Sequence, residues 1–326
     1  MLHGPTNSLC DVVGLLVGNA EDARVRTGTT VVLGERPFAA SVHVMGGAPG
    51  TRETDLLAPE QMAAEVDAIV LSGGSAFGLD AASGAQSFLA AQGRGFQLGP
   101  ARIPLVPAAI LFDLLNGGEK AWGDTPPYRD LGKTACEAAA SHVPLGAVGA
   151  AYGATTASGP GGLGSASAVL DNGTTIGAIA AVNALGSAKI GASGHFWAAP
   201  FEIDGEFGGH GLPLHLPPDA ARIRTKLSSP PPGAATTLGV VATDAKLTKT
   251  ELKRLAIMAH DGFARALWPA HTPFDGDIIF AVSTGARDVD DVNAALIEIG
   301  AAAAAATARA IARGVYEAER APPRFG

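Results

Sequence analysis

Gly233-Ala234-Ala235-Thr236-Thr237-Leu238-Gly239-Val240-Val241 is the stretch on which the reading turns. From Thr236 onward, 236–243 (TTLGVVAT) is rich in β-branched residues and reads as a strand. Before it, 208–234 gathers proline and serine, with Pro-Pro-Pro at 230–232, the composition of an exposed linker. A threonine therefore stands where a linker meets a strand. Taken alone, Thr-Thr at a strand start is ordinary β-propensity. A chemical reading stands beside it. A threonine hydroxyl is a poor nucleophile until a nearby base removes its proton. If the chain is cut before Thr236, the new α-amino group, with a pKa of roughly 7.7–8.0, can be that base. An exposed small-residue linker accommodates such a cut.

Working outward, Thr248-Lys249-Thr250-Glu251 is a capping box. It opens a helix with Leu252, Leu255, Ala256, Ala259, Phe263 and Leu267 on one face. Residues 278–283 (IIFAVS) form another strand, and 290–318 one long Ala-rich helix begun by Asp290 and Asp291, acids suited to its positive end. Upstream, 12–17, 29–33 and 40–45 read as short strands. The continuous apolar run 66–71 (VDAIVL) suits a strand buried on both faces, and a helical pattern follows over 79–92. Residues 102–116 carry two prolines and close an apolar stretch in Phe112-Asp113. From 145 to 187 come glycine-punctuated strands, with a hairpin turn at Asp171-Asn172-Gly173. Many strands with long helices late in the chain predict α+β layers, helices covering sheets.

Composition narrows the function. The 326 residues are 47% hydrophobic and 17% charged, which excludes a disordered chain. The 43 glycines are about twice ordinary usage without a Gly-X-Y period, so tight turns or close backbone approaches are implied. A net charge of −8 with no Lys/Arg run argues against a nucleic-acid partner. Cys10 and Cys136 are too few for a disulfide framework or a cysteine zinc site, and read as small apolar residues. No signal peptide or membrane span is visible, so a soluble cytoplasmic protein without a membrane partner is expected. Several motifs fail. Gly159-Pro160-Gly161-Gly162-Leu163-Gly164 fits G-x-G-x-x-G, but strands follow it where a dinucleotide site needs a helix. Leu131-Gly132-Lys133-Thr134 lacks the first P-loop glycine, because position 127 is Pro127. Gly74-Ser75-Ala76-Phe77 misses the nucleophile elbow. The eight histidines show no metal spacing, and His142, His195 and His260 read as surface or hydrogen-bonded core residues. Neither a metal nor a cofactor is expected.

Six blocks, in order, carry a family resemblance over residues 11–318. They are Gly47-Ala48-Pro49-Gly50-Thr51-Arg52-Glu53-Thr54-Asp55, 66–79 (VDAIVLSGGSAFGL), 103–110 (IPLVPAAI), 161–167 (GGLGSAS), Thr236-Thr237, and His271-Thr272-Pro273-Phe274-Asp275-Gly276-Asp277. The chain resembles the DmpA-type aminopeptidases: L-aminopeptidase/D-amidase-esterases, β-peptidyl aminopeptidases and 6-aminohexanoate-oligomer (nylon oligomer) hydrolases. That resemblance implies a four-layer αββα sandwich of the N-terminal-nucleophile-hydrolase or ornithine-acetyltransferase type. It also implies one domain over 1–326, self-cleaved between Ala235 and Thr236 into an α chain, 1–235, and a β chain, 236–326. Homo-oligomers of the processed units, with a tetramer expected, go with it.

The resemblance further implies that Thr236 attacks small peptides, amides or esters through an acyl-enzyme, its own amine acting as base and acid. Asn183 matches an oxyanion-side asparagine, a neutral amide donor suited to a developing oxyanion. Asp275 and Asp277, which alone read as turn residues around a glycine, match an acidic pair expected to aim both carboxylates at the Thr236 amine and at a substrate's cationic group. Ser75, Phe112 and Ser158 are candidate pocket residues. Three departures bear on substrate choice or maturation. Phe112 stands where some members have tyrosine, Ala157-Ser158 where nylon oligomer hydrolases have a lysine, so that a cationic partner is missing, and Ala235 where asparagine or glycine is frequent. The leading expectation is an aminopeptidase-like hydrolase. A nylon oligomer endohydrolase and a non-maturing, catalytically silent binding relative are the alternatives.

Overall fold

The computed structural model describes residues 1–228 and 235–321. The strands are β1 (Leu15–Asp22), β2 (Thr27–Val44), β3 (Thr51–Arg52), β4 (Val66–Ser72), β5 (Phe96–Leu98), β6 (Ala101–Ile103), β7 (Ala108–Ile110), β8 (Thr155–Thr156), β9 (Gly159–Pro160), β10 (Gly162–Val169), β11 (Thr175–Asn183), β12 (Thr236–Ala245) and β13 (Ile278–Arg287). The α-helices are α1 (Ala81–Ala91), α2 (Tyr128–Glu137), α3 (Lys249–Ala259), α4 (Asp261–Ala266) and α5 (Val292–Arg320).

Strand alternation builds the layers. Along β12, Leu238, Val240 and Ala242 face one core while Val241 and Ala245 face another. Along β4, Ile69 and Leu71 share the first of these cores, while Ala68 and Val70 face a third. The shared core lies between two sheets. One runs β10-β11-β12-β13-β2 and the other contains β1, β2, β4, β7 and β3. The long strand β2 belongs to both: Thr29–Leu33 and Phe38 pair with β4, and Ala39–Val44 pair with β13. Helices α1 and α2 cover the outer face of one sheet, and α3, α4 and α5 that of the other. The αββα sandwich expected from the resemblance is the observed architecture.

Several local expectations change. The separate strands at 29–33 and 40–45 are one strand, since the intervening residues stay extended across a register shift. The strand expected at 12–17 begins only at Leu15, after a 3-10 turn capped by Ser8. The capping box at Thr248 and Glu251 forms, but its helix breaks at His260 into α3 and α4. Cys10 is half-buried and Cys136 buried, both as free thiols. Residues 229–234, including Pro230-Pro231-Pro232, lie outside the described residues.

The Ala-rich sequence of α5 has a packing cause. A Cβ on Gly164 would lie 1.9 Å from Ala310 O, and one on Gly162 would lie 2.0 Å from Gly314 O. Helix and strand therefore meet backbone to backbone, and only small residues fit between them. By length and composition α5 could cross a membrane, but 72% of its most apolar stretch is buried in the sandwich. Gly164→Ala is expected to destabilise the fold by about 3 kcal/mol and lower Tm by several degrees, because the obstacle is main chain that cannot rotate away. Thermal unfolding of the variant against wild type checks this.

Candidate active site

Three strand ends converge. Asn183 is the last residue of β11 and Thr236 the first of β12, and the two are direct antiparallel partners. Parallel to β12 runs β13, with Leu238 opposite Ile278. Its register carries back past the strand start, so that Ala235 bridges Asp275. The chain thus places Asn183, Ala235-Thr236 and Asp275-Gly276-Asp277 side by side at one edge of the sandwich.

Thr236 Oγ1 donates to the carbonyl oxygen of Ala235 at 2.6 Å. The same oxygen accepts the Gly276 N–H at 2.9 Å. A hydroxyl therefore sits against the carbonyl immediately before it, and that carbonyl is polarised by a main-chain amide. Thr236 is only 3% exposed, and Asn183, Asp275 and Asp277 are 1% each. With the chain continuous at 235–236, Thr236 is almost wholly buried.

The carboxylates are held, but not where the sequence reading aimed them. Asp277 Oδ1 accepts the Thr237 N–H at 2.8 Å, and Oδ2 accepts the His271 N–H at 3.0 Å. Asp275 accepts the Thr272 N–H at 2.9 Å, the Thr272 hydroxyl at 2.6 Å and the Leu185 N–H at 3.2 Å. Their partners are thus the neighbouring turn, the β11 exit and the residue after Thr236, because buried carboxylates are satisfied by the nearest donors. Burial, and then the adjacent Asp277 charge, push the Asp275 carboxyl above the ordinary carboxylate range. Against this turn packs 45–50, through Ala48 N–H to Asp275 O at 2.8 Å and Gly47 N–H to Thr272 O at 3.2 Å.

Asn183 is fixed at both ends of its amide. Nδ2 donates to Phe112 O at 2.8 Å, and Oδ1 accepts the Thr155 N–H at 3.0 Å and Lys226 Nζ at 2.8 Å. Phe112 thus meets the site through its carbonyl. Asp113 beside it accepts the Thr27 hydroxyl at 2.6 Å and the Gly74 N–H at 2.8 Å, anchoring the turn that holds Ser75. Ser75 has φ +52°, and its N–H donates to Leu111 O at 3.0 Å. Ser158 bonds within its own β8–β9 hairpin, to Thr156. That hairpin reaches Asn183 through the Thr155 amide.

Positions 157–158 carry no lysine, but Lys226, from a segment whose composition signalled only a linker, sets its amine on Asn183 Oδ1. Gly276 was legible as a turn glycine in Asp-Gly-Asp, but its role is spatial, since a Cβ there would lie 2.5 Å from Thr236 Oγ1. His271 lay in a recognised block without an assigned role. Its Nδ1 is 2.8 Å from Asp277 Oδ2, too poorly aligned for a hydrogen bond.

Behind His271 stand His260 and His43, with successive ring centroids 5.0 Å apart. Burial pulls the His260 imidazole from 6.5 to about 4; the His43 carbonyl and Asp277 oppose the shift, while His271 and His43 reinforce it. A depressed folded-state pKa means that stability is intact above about pH 6.5 and is lost as pH falls toward 4, by up to about 3 kcal/mol. Denaturant titrations at pH 7 and pH 4.5 should show that loss, with a shallower slope in His260→Gln.

The model of peptidase family S58 matches residues 7–325. The chain belongs to peptidase family S58. An uncharacterized aminopeptidase of Mycobacterium tuberculosis is 42% identical over 331 residues, covering 96% of this chain and 94% of that protein. The 6-aminohexanoate-oligomer endohydrolase of Kocuria sp. is 26% identical, covering 86% and 75%. Among solved structures, a Burkholderia sp. β-aminopeptidase aligns with TM-score 0.68 and 22% identity over 96% of this chain and 87% of its own. The L-aminopeptidase D-Ala-esterase/amidase of Ochrobactrum anthropi, described as a variant of the Ntn hydrolase fold, aligns with TM-score 0.68 and 22% identity over 96% and 86%. These two likenesses show the fold that the S58 chain shares with them. Membership makes the chain a peptide- or amide-bond hydrolase.

Proposed function

We propose that this S58 peptidase is a self-processing N-terminal-nucleophile hydrolase that releases N-terminal residues from small peptides, amides or esters. The observation that carries the reading is the Thr236 hydroxyl, 2.6 Å from the Ala235 carbonyl oxygen, with the Gly276 amide on the same oxygen. In maturation, Oγ1 attacks the Ala235 carbonyl carbon and gives up its proton. The Gly276 N–H stabilises the oxyanion, the Ala235–Thr236 C–N bond breaks, and the departing nitrogen is protonated to become the Thr236 amine. Water then hydrolyses the ester between Ala235 and Oγ1.

The same atoms serve turnover. The freed amine takes the Oγ1 proton as Thr236 attacks a substrate carbonyl, then returns it to the leaving group. Asn183, opposite Thr236 in the ladder, donates to the oxyanion, a contribution of about 3–4 kcal/mol for such donors. Asp277 holds the strand through the Thr237 amide, and Asp275 holds the turn.

The 42% identity over nearly the full length of an aminopeptidase-named relative favours amino-acyl substrates. The 26% likeness to oligomer endohydrolases supports a second reading, hydrolysis of 6-aminohexanoate oligomers by the same machinery. Intact mass of the purified 32.6 kDa chain tests maturation, with a fragment of about 9 kDa beginning Thr-Thr-Leu-Gly expected. Turnover of amino-acid p-nitroanilides against 6-aminohexanoate oligomers separates the two substrate classes. An uncut chain without turnover on either supports the silent binding relative. An uncut chain that hydrolyses steadily overturns the mechanism.

A further inference from the structure

Lys226 carries an amine that the mechanism above does not use, yet it is seated on the site's amide. Its Nζ donates to Asn183 Oδ1 at 2.8 Å and to the Asn183 carbonyl at 3.0 Å. Its own N–H donates to Leu185 O at 3.1 Å, docking the main chain on the same β11 exit, and the Leu185 N–H in turn goes to Asp275. The lysine is thus fixed at both its backbone and its ammonium group.

The contacts decide the orientation of Asn183. Its Oδ1 receives two donors, Thr155 N–H and Lys226 Nζ, so a flipped amide would turn its own NH2 against both. With that flip excluded, one Nδ2 hydrogen goes to Phe112 O and, among the described residues, the other is left to act beside Thr236. A positive charge on the far end of an amide also draws electron density from its nitrogen and sharpens the remaining N–H as a donor.

We infer that Lys226 is a positioning residue for Asn183: it fixes the amide with Nδ2 as the free donor beside Thr236 and strengthens that donor toward the oxyanion. The inference rests on the Thr236 mechanism proposed above. Burial lowers the Lys226 amine from 10.5 to about 7, and the Asp275 carboxylate opposes the shift. That agrees with an enclosed group sustained by partners within the site.

The test compares Lys226→Met and Lys226→Arg with wild type, reading kcat and KM on an amino-acid p-nitroanilide after intact mass and melting have confirmed cut, folded enzyme. Lys226→Met should lower kcat at least ~10-fold with KM within about 2-fold, the pattern of an interaction made in the transition state. Lys226→Arg should recover most of kcat, because it restores the charge and the donor. In an Asn183→Ala background, Lys226→Met should add little, since both act through one group. If Lys226→Met does not fold or mature, Lys226→Gln replaces it, with the same loss of kcat expected. Unchanged kcat in the neutral variants, or a full loss persisting in the Asn183→Ala background, overturns the inference. If wild type itself is neither cut nor active, the Thr236 mechanism fails instead.

Discussion

Thr236→Ala is expected to purify as one uncut chain with turnover below detection, at least ~10⁴-fold under wild type. The substitution removes Oγ1, the atom that would attack first the Ala235 carbonyl and later the substrate. It leaves β12 in place, because Thr236 is held by its ladder with Asn183, and alanine is tolerated at a strand start. Folding should therefore be near normal, which separates loss of chemistry from loss of structure. Thr236→Ser is the companion experiment. It keeps a hydroxyl 2.6 Å from the same carbonyl and should still be cut and active. Intact mass and p-nitroanilide hydrolysis on both variants are sufficient. A cut, active Thr236→Ala enzyme would transfer the nucleophile elsewhere.

Gly276→Ala should slow self-cleavage by at least ~10²-fold, although it adds one methyl group and removes no functional atom. The new Cβ would lie 2.5 Å from Thr236 Oγ1 and 2.7 Å from Ala48 O. Ala48 cannot retreat freely, because its own N–H is bonded to Asp275 O. The hydroxyl must therefore move, and it would lose its alignment with the carbonyl that Gly276 polarises. Cleavage followed by mass against time in freshly expressed protein gives the rate. A variant that matures at wild-type speed would show that Oγ1 does not occupy this position during the reaction.

The sequence revealed the site residues unevenly. Thr236 was legible as the point where a linker meets a strand, whereas Asn183 was reached only through the family resemblance; the pairing of β11 with β12 brings the two together. Asp275 and Asp277 were visible as a pair flanking a glycine. What their carboxylates touch was not, since that depends on how the turn folds over Thr272 and the β11 exit. Lys226 gave no signal at all. It lies in a proline-rich stretch, and only tertiary packing sets its amine against Asn183. In the fold, the apolar run at 66–71 disclosed the two-sided burial of β4. The fusion of two apparent strands into β2 escaped notice, because nothing at Glu35-Arg36-Pro37 marks continuation. The alanines of α5 were legible as helix, whereas their purpose emerges only from the glycine strand beneath them.

The placement of β12 between β11 and β13 would shape the life of the enzyme if it is processed as proposed. A cut ahead of Thr236 would give a fragment whose first strand is laddered on one side to its former upstream partner and whose second, β13, is laddered to β2. The two pieces would stay clasped without a covalent link. Once melted apart, however, they would have to find each other by diffusion, so recovery after heating becomes second order in protein. The uncut precursor folds as a tethered whole and meets no such dilution penalty. Maturation would then act as a ratchet, making an active enzyme that, once lost to heat at low concentration, is not readily regained.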